Sequence, residues 1–541
     1  MSKAEALTKF APTQKVKNKF SYYLTLAGMV ITFGIHTVPS YFLNVFYDSI
    51  TNPRNNNWNA ETRKTNLSYI STATNVGGLV GGIAFYFISK YNPRTVIHIS
   101  RVLALIGSVG FTLQNIYLML IGRFIIGFAA SIGQNSLIWV AREICVEGHA
   151  DIVMIAYHLS VSSCFFTLGF ASNFDKGGPL YWRAILLGFA LILMILLFLD
   201  LLLVKDLNSI TYMIRRFGLE ESSKKVEGLY SVEVARAKIE EASDTLDYQR
   251  RQREEQMRRG VAQWRTDLVT YKKSALNLIC VTLLGLTGLQ LQYMSFGSLI
   301  GSKNLNNHAA VAQVKLVLTF TEVIESIGYM VVIYFGFIRL RKRGLLVAHF
   351  FGCMVVLSSA VGYLSHNLLI ARFGILLNGL AFPTFQPSFN LYTSEIVPAS
   401  LVFINSFCST IFGIIMEFLF PRVMDIEQSP YHTVGIKFLV LAAIGFSSNI
   451  ALRFVMIETS GLSPLQAKAL IEGEKIEEIS DEDKYLRVGD REGGLRQGSA
   501  GQDLNPRLIS GPNELNSKVV VAGSIAPSRD TNGFVETIKN E

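Results

Sequence analysis

"LIGRFIIGFAASIGQNSLIWVARE" (residues 120–143) and "LIARFGILLNGLAFPTFQPSFNLYTSE" (residues 369–395) follow one pattern: Leu-Ile-x-Arg-Phe, an apolar run, and a closing glutamate. Arg123 and Glu143 are 20 residues apart, and Arg372 and Glu395 are 23 apart. At 1.5 Å per helical residue this is ~30–35 Å, about the thickness of a bilayer core. Each helix therefore carries an arginine near one membrane face and a glutamate at the other. The recurrence of the pattern in the second half of the chain points to a duplicated unit.

The composition agrees with a membrane setting. Half of the 541 residues are hydrophobic, 11% are aromatic and only 17% are charged, with the charges gathered in a few segments. Twelve runs are long enough to span, centred on 22–45, 68–89, 96–114, 117–140, 152–172, 184–204, 276–300, 312–337, 345–363, 368–393, 401–421 and 434–456. Hydrocarbon offers no partner to an unpaired backbone amide, so each must be helical. The expectation is an all-α polytopic membrane protein with 12 transmembrane helices in two six-helix halves. The first run is too long and lacks a small-residue cleavage site, so it reads as a helix and not as a signal peptide.

Charge sets the orientation. Residues 1–20 carry five lysines against one glutamate, and "RLRKRG" between the eighth and ninth runs holds Arg339, Arg341, Lys342 and Arg343. Both belong inside by the positive-inside rule, which places both termini there too. The net charge of +9 thus reports topology, and no nucleic-acid partner is expected. A plasma or endomembrane location is expected, with the mitochondrial inner membrane left open by the basic, acid-poor N-terminus.

The expected domains are a basic segment 1–20, a six-helix half 21–205, a linker 206–274, a second half 275–457 and a polar tail 458–541. The linker holds 14 Lys and Arg against 12 Asp and Glu at helical spacing, and reads as an inside-facing helical piece. Its "RRQREEQMRR" suits anionic lipid headgroups or a solvated face. "SPLQAKALIEGEKIEEI" opens the tail as a helix, and beyond about residue 488 the tail is expected to be disordered unless a partner orders it. The linker and the tail are the places for protein partners.

"GRFIIGF", "YTSEIVP", "YWR" at 181–183 and "IETSGLSPLQA" resemble motifs of the major facilitator superfamily, in the branch of sugar porters and organic-cation carriers, over roughly residues 20–470. The resemblance implies the facilitator fold, a central cavity between two halves, and alternating access. It also implies an inner gate of charges, here Arg94, Glu143, Glu395 and Arg341, with Arg94 available to pair with Glu143. The expected Asp-Arg pair between the second and third runs is Ser89-Lys90, the segment after the sixth run is "KDLNSITYM", and Val402 replaces a basic residue, so this gate looks weakened.

In the cavity, His36 in "FGIHTVPS" stands where a proton-coupling carboxylate would face Arg123. His158 takes the place of a sugar-binding glutamine, Gly285 and Leu286 of a glutamine pair, and Asn390 of a tryptophan. Gln290 and Gln292 lie close in sequence to the lost glutamine pair but point to different faces. Independently of any resemblance, Glu322 and Glu325 share a face of the eighth run, and ionisable groups inside a membrane mark pathways or coupling sites. Their alternative partners are Lys315 and Arg372. His36 and His158 read as proton relays or as hydrogen-bonded packing residues. Pro383 and Pro387 are expected to kink the tenth run.

No phosphate loop, HExxH or GxSxG motif is present and the five cysteines lack ligand spacing, so neither an enzyme nor a cofactor or metal is expected. Two readings stand: a secondary transporter of a small organic solute such as a sugar or organic ion, uniporting or proton-coupled, or a facilitator-fold subunit of a larger membrane assembly.

Overall fold

The structure, a computed structural model, describes residues 16–46, 50, 60–113, 115–146, 149–174, 179–203, 208–262, 265–300, 308–335, 341–424, 430–459, 462 and 464–473. The first half comprises α1 (Lys19–Val45), α2 (Ala60–Ile88), α3 (Pro93–Thr112), α4 (Ile116–Ile144), α5 (His149–Ser172) and α6 (Pro179–Leu203). Between the two sets of spans lie α7 (Ile210–Phe217), α8 (Leu219–Leu229), α9 (Val232–Arg258) and the short α10 (Thr266–Thr270). The second half comprises α11 (Lys272–Ile300), α12 (His308–Phe335), α13 (Arg341–Leu364), α14 (Leu368–Leu376), α15 (Asn378–Ile396), α16 (Phe403–Met424) and α17 (Tyr431–Val455), followed by α18 (Pro464–Glu472).

Among the described residues, nine helices are long and apolar enough to cross a membrane. Helices also occupy the other three expected runs, as α11, α12 and the pair α14/α15. The tenth run is divided by a single turn residue, Leu377, whose φ of −65° and ψ of −18° stay helical, and both prolines lie inside α15. Pro383 has no N–H to give to Gly379, and the chain tightens ahead of it, where the Leu377 amide bonds to Gly374 O at 3.1 Å.

The duplication seen in the sequence is repeated in the packing. In the first half α4 lies against α2 and α3, α6 against α3 and α1, and α5 against α1. The second half repeats each pair six spans on: α15 against α12 and α13, α17 against α13 and α11, and α16 against α11. The halves meet along α5·α12 and α2·α16, and the same shift exchanges these two contacts. This is the parallel-repeat arrangement of transporters.

Within each half the backbones nearly touch. A Cβ on Gly127 would lie 2.0 Å from Thr74 O, and one on Gly77 2.0 Å from Phe124 O, so α2 and α4 cross with only hydrogen between them. In the second half a Cβ on Gly328 of α12 would come within 2.5 Å of Gly379 O on α15. Without water to drive apolar surfaces together, such close crossings are what holds membrane helices in register.

The linker is fastened to the inner end of the first half. Tyr230 donates its hydroxyl to Ile144 O at 2.7 Å and Lys238 its ammonium to Glu143 O at 2.7 Å, so two linker side chains satisfy the last carbonyls of α4. Burial pushes the Lys238 ammonium below the usual lysine range. Ile210, Met213, Val226 and Leu229 join one apolar core with Leu137, Ile144 and Met154.

At the other end of α9, Tyr248 receives a hydrogen bond from Lys468 of α18, whose ammonium lies 4.6 Å from the Tyr248 ring centre. The start of the tail, α18, is therefore docked onto the bundle and linker. The part of the tail after residue 473, with its expected disorder, lies outside the described residues, as do residues 1–15 and Arg339.

Candidate functional site

Two polar layers join the halves. The central one lies between α5 of the first half and α12 and α15 of the second. Ser162 donates to Glu322 Oε2 at 3.2 Å and to its backbone carbonyl at 3.0 Å, and Ser326 lies 3.0 Å from the same hydroxyl. Tyr329 donates to Glu325 Oε1 at 3.0 Å. One turn inward on α5, His158 Nε2 lies 2.9 Å from Asn390 Nδ2. Phe33 meets His158 edge-on at 5.3 Å, and Tyr329 stacks on the other side at 6.4 Å. His158, Asn390, Glu322 and Glu325, singled out in the sequence, share one buried layer. Glu322 and Glu325 are each 8% exposed and form no ion pair among the described residues.

Two buried carboxylates side by side repel each other, and a medium of low dielectric magnifies the repulsion. Among the described residues no cation forms an ion pair with either carboxylate. The His158 and Asn390 side chains add hydrogen-bonding groups suited to hydroxyls or amides. Gln290 and Gln292 belong to α11, but their side chains lie outside the described residues, as does that of Lys315. Arg372 is half buried on α14.

The inner layer is a charge network. Arg341, at the start of α13, lies 3.1 Å from Glu395 of α15 and 2.8 Å from Asp151 of α5, so it connects the halves. Thr459 holds the second Glu395 oxygen at 2.6 Å. Glu458 accepts from the Arg341 and Lys342 amides at 2.9 and 3.1 Å, and Glu472 from the Lys273 and Ser274 amides at 3.1 and 3.2 Å. Glu143 accepts from the hydroxyls of Ser209 and Thr211 and from the Thr211 amide. Three glutamates thus cap the starts of α13, α11 and α7, where the helix dipole favours an anion.

Two expected pairings are replaced. Arg94 does not turn to Glu143: it bonds Asp200 of α6, at 2.6 Å to the carbonyl and 3.3 Å to the carboxylate. Glu143 is already held by the hydroxyls that open α7. Arg101 also reaches Asp200 at 3.2 Å, and Thr32 at 3.1 Å. The carboxylate missing at Ser89 is supplied by α6, but this cluster lies wholly within the first half and ties α3 to α6.

Nor does His36 face Arg123. It is buried against Gly133, where an added Cβ would lie 2.6 Å from its Cε1, and neither ring nitrogen has a hydrogen-bond partner among the described residues. Arg123 instead donates to Pro39 O and lies over the Phe111 ring at 4.9 Å. A carbonyl and an aromatic face are thus among its partners, an arrangement that suits a buried guanidinium.

Sequence reasoning missed Asp151, Asp200, Ser162 and Tyr329. Asp200 carried a signal, since it is the one acid in "LILMILLFLDLLL".

The fold is similar to that of the major facilitator superfamily proton:xylose symporter XylE bound to 6-bromo-6-deoxy-D-glucose. The TM-score is 0.66 at 15% identity, over 83% of this chain and 98% of that one. Against the xylose transporter XylE from E. coli in its partially occluded inward-open conformation it is 0.59 at 14% identity, over 82% and 99%. Against the inward-open conformation it is 0.57 at 14% identity, over 83% and 98%. No curated protein matches the sequence. The family model described as sugar (and other) transporter matches residues 25–468, and the chain belongs to that family of membrane transporters.

Proposed function

We propose that the protein carries a small polar organic solute, a sugar or an organic cation, across a plasma or endomembrane by alternating access. The observation that carries the reading is the double connection between halves: Ser162–Glu322 and His158–Asn390 at the centre, Asp151–Arg341 at the inner face. A solute bound at the central layer touches both halves, and separation of Arg341 from Asp151 opens the path inward. The contact of Arg341 with both Asp151 and Glu395 supports reading this conformation as closed on the inside.

The unpaired carboxylates favour coupling. Protonation of the Glu322/Glu325 pair, or a cationic solute in its place, relieves their repulsion before the halves rock. Protein in liposomes, offered labelled sugars and organic cations with and without an inward proton gradient, tests the reading. Uptake of one class that rises with the gradient supports it. Intact, folded protein that moves neither class under either condition refutes it and leaves a structural subunit as the remaining role.

A further inference from the structure

Beneath α9, at the inner face, lies a small chamber of about 40 Å³ that shares Trp139, Thr211 and Gln249 with a larger space of about 90 Å³. The smaller chamber is lined by three cations, Lys90, Arg215 and Arg253, and by one carboxylate, Asp267. That carboxylate is already engaged: it accepts from Ser400 at 2.9 Å and lies 3.7 Å from Arg253. Arg215 donates to the neutral Gln249 amide at 2.9 Å, and Lys90 lies 6.0 Å from the Tyr86 ring centre. Pro93 brings the start of α3 to the same wall, adding the positive end of a helix dipole. Among the described residues that line the smaller chamber, cations outnumber carboxylates three to one; Lys90 and Arg215 are exposed, and the acids acting on Arg215 are Glu143, at the edge of the larger space, and Asp267.

We propose that this chamber binds an anion through a phosphate group and that the bound anion ties the first half to the linker. Lys90 comes from the first half and Arg215 and Arg253 from the linker, while Ser400 of the second half already gives its proton to Asp267. Fork-shaped guanidinium groups and an ammonium around one recess match tetrahedral phosphate oxygens. A cavity of ~10–15 Å³ already admits one water-sized group, and the larger space, which shares Trp139, Thr211 and Gln249, adjoins it on the side where an ester substituent would lie. Two sources share this chemistry, a soluble phosphate and the headgroup of an inner-leaflet lipid. In both cases the anion acts at the inner face and away from the central layer, so the inference does not depend on which solute is carried.

The test uses the full-length protein in nanodiscs. Inorganic phosphate is titrated against chloride at matched ionic strength in zwitterionic lipid, with binding read by calorimetry and thermal unfolding by tryptophan fluorescence. A second arm replaces part of the lipid with phosphatidic acid. Saturable stabilisation by phosphate beyond chloride identifies a soluble ligand, and stabilisation by phosphatidic acid alone identifies a headgroup. Lys90→Ala and Arg215→Ala should each weaken the response roughly tenfold or more, as loss of a charge-assisted hydrogen bond requires. Ser89→Asp, which adds a carboxylate and removes no cation, should abolish it. Equal effects of phosphate and chloride with no effect of phosphatidic acid overturn the proposal, as does a response that survives all three substitutions.

Discussion

Asp151 and Arg341 meet at 2.8 Å across the boundary between the halves, while Glu395 lies 3.1 Å from the same guanidinium within its own half. One arginine thus has a permanent partner and a partner that must leave when the inner face opens. Asp151→Asn keeps Arg341 paired with Glu395 and removes only the second attraction. We expect a several-fold faster reaction of Asn390→Cys with a membrane-impermeant thiol reagent applied from the inner side, in a background without the five native cysteines. An unchanged rate removes Asp151 from the gate. Arg341→Ala differs in kind, because it strands a buried carboxylate, and should cost ~3–5 kcal/mol in unfolding free energy.

The two central carboxylates predict a division of labour. Glu322 touches the other half through Ser162, whereas Glu325 is held within α12 by Tyr329. Glu322→Gln should therefore abolish net uptake, since the amide keeps the shape and loses the charge. Glu325→Gln should weaken the response to a proton gradient while leaving solute exchange measurable. Full gradient-driven uptake by both variants would show that neither takes part in coupling.

His158 and Asn390 make a direct contact across the halves, so their effects should not add. A single buried hydrogen bond is worth about 0.5–1.5 kcal/mol net, and His158→Ala with Asn390→Ala should show a coupling energy of that order in the apparent KM. Additive changes would mean that the solute sees each residue separately.

Gly127→Ala tests the close crossing of α2 and α4. Its Cβ would lie 2.0 Å from a carbonyl oxygen that cannot move without its helix. Loss of folded protein on size-exclusion chromatography is expected even though the change adds one methyl group and no polarity. Monodisperse, transport-competent protein would show that the crossing is looser than described.

The sequence carried the repeat because Arg123, Glu143, Arg372 and Glu395 sit at equal depths on equivalent helices, and one-dimensional spacing records depth. It carried Glu322 and Glu325 because charge is conspicuous in an apolar run. Partner choice was another matter. Arg94 has two carboxylates at its depth, and whether it meets Asp200 or Glu143 depends on how α6 and the linker pack, which spacing does not encode. His36 was misplaced for the same reason: Gly133 makes room for the imidazole, and a glycine in a sequence does not say what fills the space it leaves. The turn at Leu377 lies six residues ahead of Pro383, and no residue at that position marks it in the sequence.

The backbone contacts at Gly77, Gly127 and Gly328 have a bearing on how such a protein changes over time. Where main chain rests on main chain, the frame within each half is set by atoms common to all residues, while the side chains of the central layer join one half to the other. A change in those side chains leaves the glycine crossings as they are. A lineage that keeps its glycines can exchange one cargo for another while its stroke stays the same, and the unusual polar set around His158 and Glu322 is what such a history would leave behind.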